Sequence, residues 1–238
     1  MSSSRVAIAS SIAVATSTLA GALLWADYRA WKNKGTGGTP STLAGYYKIQ
    51  KWGLYLLFHP QDLHDPSFIP DGGPSYLSEF PEREFERPGL TRWVLPQRQQ
   101  RVSQTQGTQE SLSTILPSLA NSDAYKDLIY TGPSKTEGGT GTAIYVRPEV
   151  PTINPKAKAI FYEIAHVHPS DSSLHVYLSP RDARVVVEKK WGERFSVDWI
   201  APKSWVLVYA PRNATEVEVI REIVEAGIKF AVEGGKEN

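Results

Sequence analysis

Apolar positions divide the chain into two unlike parts. Near the N-terminus, Val6–Ala26 (VAIASSIAVATSTLAGALLWA) is an unbroken uncharged run, and about 20 such residues are long enough to cross a hydrocarbon core as a helix. Trp25 and Tyr28 stand at its end, where interfacial aromatics anchor a span. The run is therefore read as a single-span membrane anchor. A cleaved signal peptide, a transit peptide and a surface helix are the alternatives, since Arg5 alone precedes it and small residues close it. Arg29, Lys32 and Lys34 follow the run against one Asp27, which turns the body toward the cytosol. Gly35 to Thr42 reads as a Gly-rich linker. Leu43 to Phe58, interrupted by Lys48, Gln50 and Lys51, reads as an amphipathic helix lying on the body or the membrane surface.

Beyond this the pattern changes. Residues 59–95 are rich in Pro and Gly and predict an irregular wrap. Gln97 to Gln109 is polar and predicts a solvated helix or loop. Leu112, Ile115, Leu116 and Leu119 recur at helical spacing over 110–129, with Pro117 disturbing them. Strand-like segments follow at Thr142–Arg147, Ala159–His168, Leu174–Leu178 and Trp205–Tyr209. Pro180 opens one helix, and Asn213 with Glu216 three residues later forms a capping-box pattern for the last. The fold class expected is α+β, an antiparallel sheet with helices on one face, preceded by an N-terminal transmembrane helix. The division expected is anchor and flank over 1–34, linker and amphipathic segment over 35–58, and a single catalytic domain over 59–238.

Composition narrows the function classes. A formal net charge of +1 over 238 residues recruits no nucleic acid. The chain has no cysteine, so disulfides, thiolate ligands, Cys nucleophiles and iron–sulfur clusters are excluded. No Walker loop, G-x-S-x-G elbow or G-x-G-x-x-G is present.

Three of the five histidines, His166, His168 and His175, fall within ten residues. Alternation along a strand points His166 and His168 one way, and the short Pro169–Ser173 loop returns the chain so that His175 joins them. Buried imidazoles without partners are costly, so the cluster predicts a polar pocket. The candidate roles are acid–base catalysis or a metal-ligand set for zinc, iron or copper; hydrogen-bonded structural histidines are the plain alternative. By the same alternation Glu163, three residues before His166, points to the opposite face. Tyr177 shares the His175 face. Gly192 is read as a helix C-cap with Trp191 packed beneath it, and Arg194 is placed to reach an anionic substrate.

The C-terminal half resembles a known family. EIAHVH, SLHVYLS, VVVEKKWGERF and WVLVYAPRNATEVEVIREIVEAGI, with DYRAW and EFPEREFERPG before PQRQ upstream, are similar to the fungal luciferases and their non-luminous relatives. The likeness runs from about Asp27 to Val232. It implies a membrane-anchored oxygenase that adds dioxygen to a small pyrone- or polyketide-like enol and releases carbon dioxide, with molecular oxygen as co-substrate and no cofactor. On this chain, His166, His168 or His175 would deprotonate the enol. Arg98 or Arg194 would hold the enolate, and Trp191 and Tyr209 would wall the pocket, which Tyr177 is placed to line from the His175 face. The loop after EIAHVH is a residue shorter than in luminous members and contains Pro169, so light emission is not carried over. A decarboxylase or cyclase of fungal secondary metabolism, or a non-catalytic membrane-associated binding protein, remain the competing readings. A small-molecule substrate is the partner in the first two.

Overall fold

The alternating apolar segments of the C-terminal half do pair as strands. The computed structural model describes residues 3–233. Within them β1 (Ile129–Pro133), β2 (Thr142–Val146), β3 (Glu163–Val167), β4 (Leu174–Tyr177), β5 (Gly192–Arg194) and β6 (Trp205–Val208) form one antiparallel sheet, ordered β1-β2-β3-β4-β6-β5. Direct cross-strand partners share a face. Ala165, Val176 and Val206 therefore lie on one side, and Ala143, His166, His175, Leu207 and Glu193 on the other.

Helices cover the first side. Gly227 of α5 (Ala214–Val232) closes on Val176 and Ile164, α3 (Thr108–Ala120) packs beside it over β1 and β2, and α4 (Pro180–Glu188) lies on β5 and β6. The antiparallel sheet with helices on one face is thus the arrangement expected. Asn213 caps α5 through Glu216 N at 2.9 Å, but the Glu216 carboxylate turns to Arg83 and the Arg212 amide instead of completing a reciprocal box.

Local differences have local causes. Phe161 and Tyr162 both adopt left-handed backbone, φ 57° and 61°, so β3 starts only at Glu163, and a 3-10 turn occupies Pro155–Ile160. The helix ending expected at Gly192 is instead made at Lys190, φ 65°. Gly192 belongs to β5, where a Cβ would lie 2.3 Å from Leu207 O; it is needed for strand approach and not for a cap.

The N-terminal expectation needs correction. Ser3–Lys34 is one helix, α1, yet among the described residues no helix is long and apolar enough to cross a membrane. In Val6–Ala26, seven Ala, five Ser or Thr and one Gly dilute the larger aliphatics. The transmembrane helix, and the single-pass, cytosol-facing membrane placement built on it, are thereby overturned. The side chain of Arg5, used in that charge argument, lies outside the described residues. The last turns of α1 enter the body. Trp31 is fully buried, and its indole donates to Leu95 O at 2.9 Å. Tyr28, expected as an interfacial anchor, packs against Trp31 and Tyr46. Asp27 collects Tyr46, Trp93 and Arg92. Residues 35–42 are no free linker: a Cβ on Gly38 (φ +70°) would meet Thr136 O at 2.3 Å. Helix α2 (Leu43–Phe58), capped by Thr42, has the bounds expected and buries Gly45, Tyr46 and Ile49.

Candidate active site

The second side of the sheet carries the polar cluster. His166 and His175 are direct partners across β3 and β4, and His168 follows one residue past β3. The three ring centroids lie 4.8, 4.9 and 5.3 Å apart, and every ring is buried. The spacing places them together, as the H-x-H pattern and the short return loop require.

Glu163 joins them, contrary to the simple alternation. Register slips between Ile144 and Tyr145, so that Ile144 opposes Ala165 while Tyr145 opposes Glu163. The extra residue, Ile164, turns to the helices, and Glu163 is brought to the histidine side. Its Oε1 sits 2.6 Å from His166 Nδ1. The same carboxylate accepts from Ser134 Oγ, Thr136 Oγ1, Tyr145 Oη and the Lys135 and Thr136 amides. Burial pushes Glu163 upward, but these donors, His166 first, outweigh it and hold the acid below its ordinary range.

Glu137, from the loop between β1 and β2, closes the other side. Its Oε1 lies 3.4 Å from His166 Nε2, and its other oxygen pairs with Arg98. Burial opposes ionisation, yet His166 and Arg98 together hold Glu137 down at about 2. For His166 burial favours the neutral ring, but Glu137 and Glu163 reverse this and raise its pKa. Two carboxylates thus face two cations, Arg98 and a protonated His166, and the buried set is neutral overall.

The other two rings are neutral. Burial first, then the charges of Arg98 and His166, press His168 well below the ordinary histidine value. His168 Nδ1 lies 2.8 Å from Ser173 Oγ, which donates to Asp171, and its Nε2 faces Arg98 Nη1 at 2.9 Å. Both nitrogens are therefore occupied. His175 is depressed by burial and then by the His166 charge. Its Nδ1 faces Val206 O at 3.3 Å, which leaves Nε2 as an acceptor. Trp205 stacks on the ring at 5.5 Å, and Phe195 meets it edge-on.

A cavity of about 140 Å³ opens beside His166 and His175, walled by Glu137, Gln97, Phe195 and Trp205 and roofed by Gly37. The residues expected to hold substrate are dispersed. Arg98 lies inside the network, bonded to His168, Glu137 and Gln97 O. Trp191 donates to Pro81 O under the Arg83 guanidinium. Arg194 is tied to Asp62 O and stacks over Phe68. Tyr209 donates to Glu193. Tyr177 lines a neighbouring cavity. None of the five walls the histidine cavity. Glu137, Ser173, Phe195 and Trp205 escape the sequence reading, because nothing in their spacing ties them to the histidines. Gln97 and Arg98, expected in a solvated segment, are buried. One ligand atom from each histidine lies within 4.8 Å of the others, a spacing compatible with a metal ion.

Comparison with known proteins agrees with this region. A family model described as a luciferase domain matches residues 162–227, the segment holding all three histidines. The luciferase of Neonothopanus nambi is 29% identical over 97% of this chain and 89% of its own length. That of Armillaria gallica is 29% identical over 90% and 84%, and that of Armillaria mellea 29% over 86% and 80%. No solved structure matches the chain. With likeness spread over nearly its whole length and a matched domain that contains the three histidines, the chain is similar to the fungal luciferase-like family.

Proposed function

We propose that this chain is an oxygen-using enzyme that ionises a small pyrone- or polyketide-like enol in the His166/His175 cavity. The observation that carries the reading is His175: a neutral, ring-clamped imidazole whose Nε2 has no hydrogen-bond partner among the described residues, beside a cavity and next to a cationic His166. His175 Nε2 takes the enol proton. The His166 imidazolium stabilises the enolate from a fully buried ring, where such a charge acts strongly. The electron-rich enolate then adds both atoms of dioxygen and loses carbon dioxide, as the family likeness suggests. His168 and Arg98 position Glu137 and His166 and do not touch the substrate.

The same reading assigns no metal to the cluster. Arg98 places a fixed cation 2.9 Å from His168 Nε2, where a metal ion would meet charge repulsion. Metal analysis of the purified protein together with oxygen uptake on a panel of 3-hydroxy-α-pyrones tests both parts. Oxygen consumption without stoichiometric metal is expected. His175→Asn, which keeps a donor for Val206 O and removes the Nε2 base, should lower turnover by about 100-fold or more. Equal turnover without oxygen would favour a decarboxylase or cyclase in its place.

A further inference from the structure

Next to the histidine cavity lies a larger one of about 910 Å³, sharing with it the wall Ala159, Ile200 and Ala201. The reaction described above makes no use of it. Its lining is mostly apolar, with Trp199, Phe230, Ile200 and five prolines, and contains no Asp or Glu. Lys156, Lys203 and Ser204 stand among the lining residues, and two further polar groups, Asn154 and Tyr177, break the apolar surface. Asn154 is buried; its Oδ1 accepts from Lys156 N at 3.1 Å, while its Nδ2 has no hydrogen-bond partner among the described residues. A buried amide donor left unpaired is costly, so a ligand acceptor there is favoured. The Tyr177 hydroxyl is likewise without a bond among the described residues, and burial alone raises its pKa. Both flank the end of α5: Tyr177 packs on Phe230 at 5.1 Å, and Asn154 N donates to Ala231 O. Lys203 adds positive charge to the lining.

We propose that this second cavity is a binding site for an apolar monocarboxylate, its carboxylate held by Asn154 Nδ2 and the Tyr177 hydroxyl and its tail laid against Trp199 and Phe230. Two donors, the Lys203 cation and no acid among the described lining residues suit an anionic head; the volume and lining suit a hydrocarbon or ring-bearing body. Nothing in this site depends on the histidines, so binding is separable from turnover.

Calorimetric titration of the full chain with decanoate, and with decanol as the uncharged comparator, tests the site. Decanoate should bind, and more tightly than decanol. Asn154→Asp keeps the Oδ1 cap on Lys156 N but replaces the donor with a repelling oxygen, and should weaken decanoate at least tenfold. Tyr177→Phe should weaken it severalfold, with decanol little changed by either. Should Asn154→Asp fail to fold by circular dichroism, Tyr177→Phe decides alone. Absence of decanoate binding to the wild-type chain, or unaltered affinity in the folded variants, overturns the proposal.

Discussion

Glu163 shows how one side chain sets the charge of its neighbours. With six donors aimed at it, it stays ionised and keeps a proton on His166. Glu163→Gln removes that charge and leaves donors facing an amide. Breaking a buried pair on one side costs about 3–5 kcal/mol, which denaturant unfolding would register. In any folded fraction the His166 pKa falls, so the alkaline limb of activity should move to lower pH; an unmoved limb would dissociate His166 from catalysis. The pH dependence of stability follows from the same groups. His168 and His175 have depressed pKa values, so below about 6.5 the unfolded chain binds protons that the folded chain refuses. Stability should fall with acid by about 1.4 kcal/mol per pH unit for each. His166 is shifted the other way: its contribution is complete below about 6.5 and lost as pH rises through its folded pKa. Glu137, held at about 2, contributes above its ordinary value near 4.5 and loses this as pH falls toward 2. Unfolding midpoints across pH should therefore peak near neutrality, and a flat profile from pH 5 to 8 would contradict the assigned charges.

Strands and helices with strong periodicity are legible in the sequence alone. The α5 stripe, the Leu43–Phe58 helix and the H-x-H pair facing one way all follow from spacing that local physics enforces. What escapes are features set by distant partners. The bulge at Ile164 is fixed by pairing with β2, so alternation turns Glu163 away when it is the closest partner of His166. Strand β5 is three residues long and is defined by β6, and no alternation fits so short a segment. Glu137 lies in a Gly-rich turn whose course depends on residues 35–38 lying over it. That last contact can be tested. Gly38→Val would put a branched Cβ against Thr136 O and force a left-handed backbone that such residues resist. Overpacking of this kind costs about 1–3 kcal/mol. Because Thr136 and Glu137 wall the cavity, turnover should fall more steeply than stability, whereas Gly53→Ala in α2, with ordinary helical backbone and open space around its Cβ, should leave turnover within about twofold for a surface change of this size.

Taken whole, the molecule joins its sheet to a helix whose two ends behave differently. The outer part of α1 has exposed side chains wherever they are described up to Trp25, while Tyr28 and Trp31 are buried against Tyr46 and Leu95. Leu95 also walls the histidine cavity, so the inner end of α1 supports the site through one shared residue. Removing residues 1–24 deletes no described buried side chain, and the melting temperature of the body should then stay within about 2 °C of the full chain. Trp31→Ala instead empties a fully buried indole site and removes the packing on Leu95 together with the bond to its carbonyl. A Trp→Ala change in a core costs about 3–5 kcal/mol, which at this chain length lowers the melting temperature by about 10 °C. Thermal unfolding of the two forms measures the contrast, and turnover should follow it, kept by the truncation and reduced by the substitution. Equal melting temperatures would mean that the inner end of α1 does not hold the body together, and the roof of the cavity would need another support.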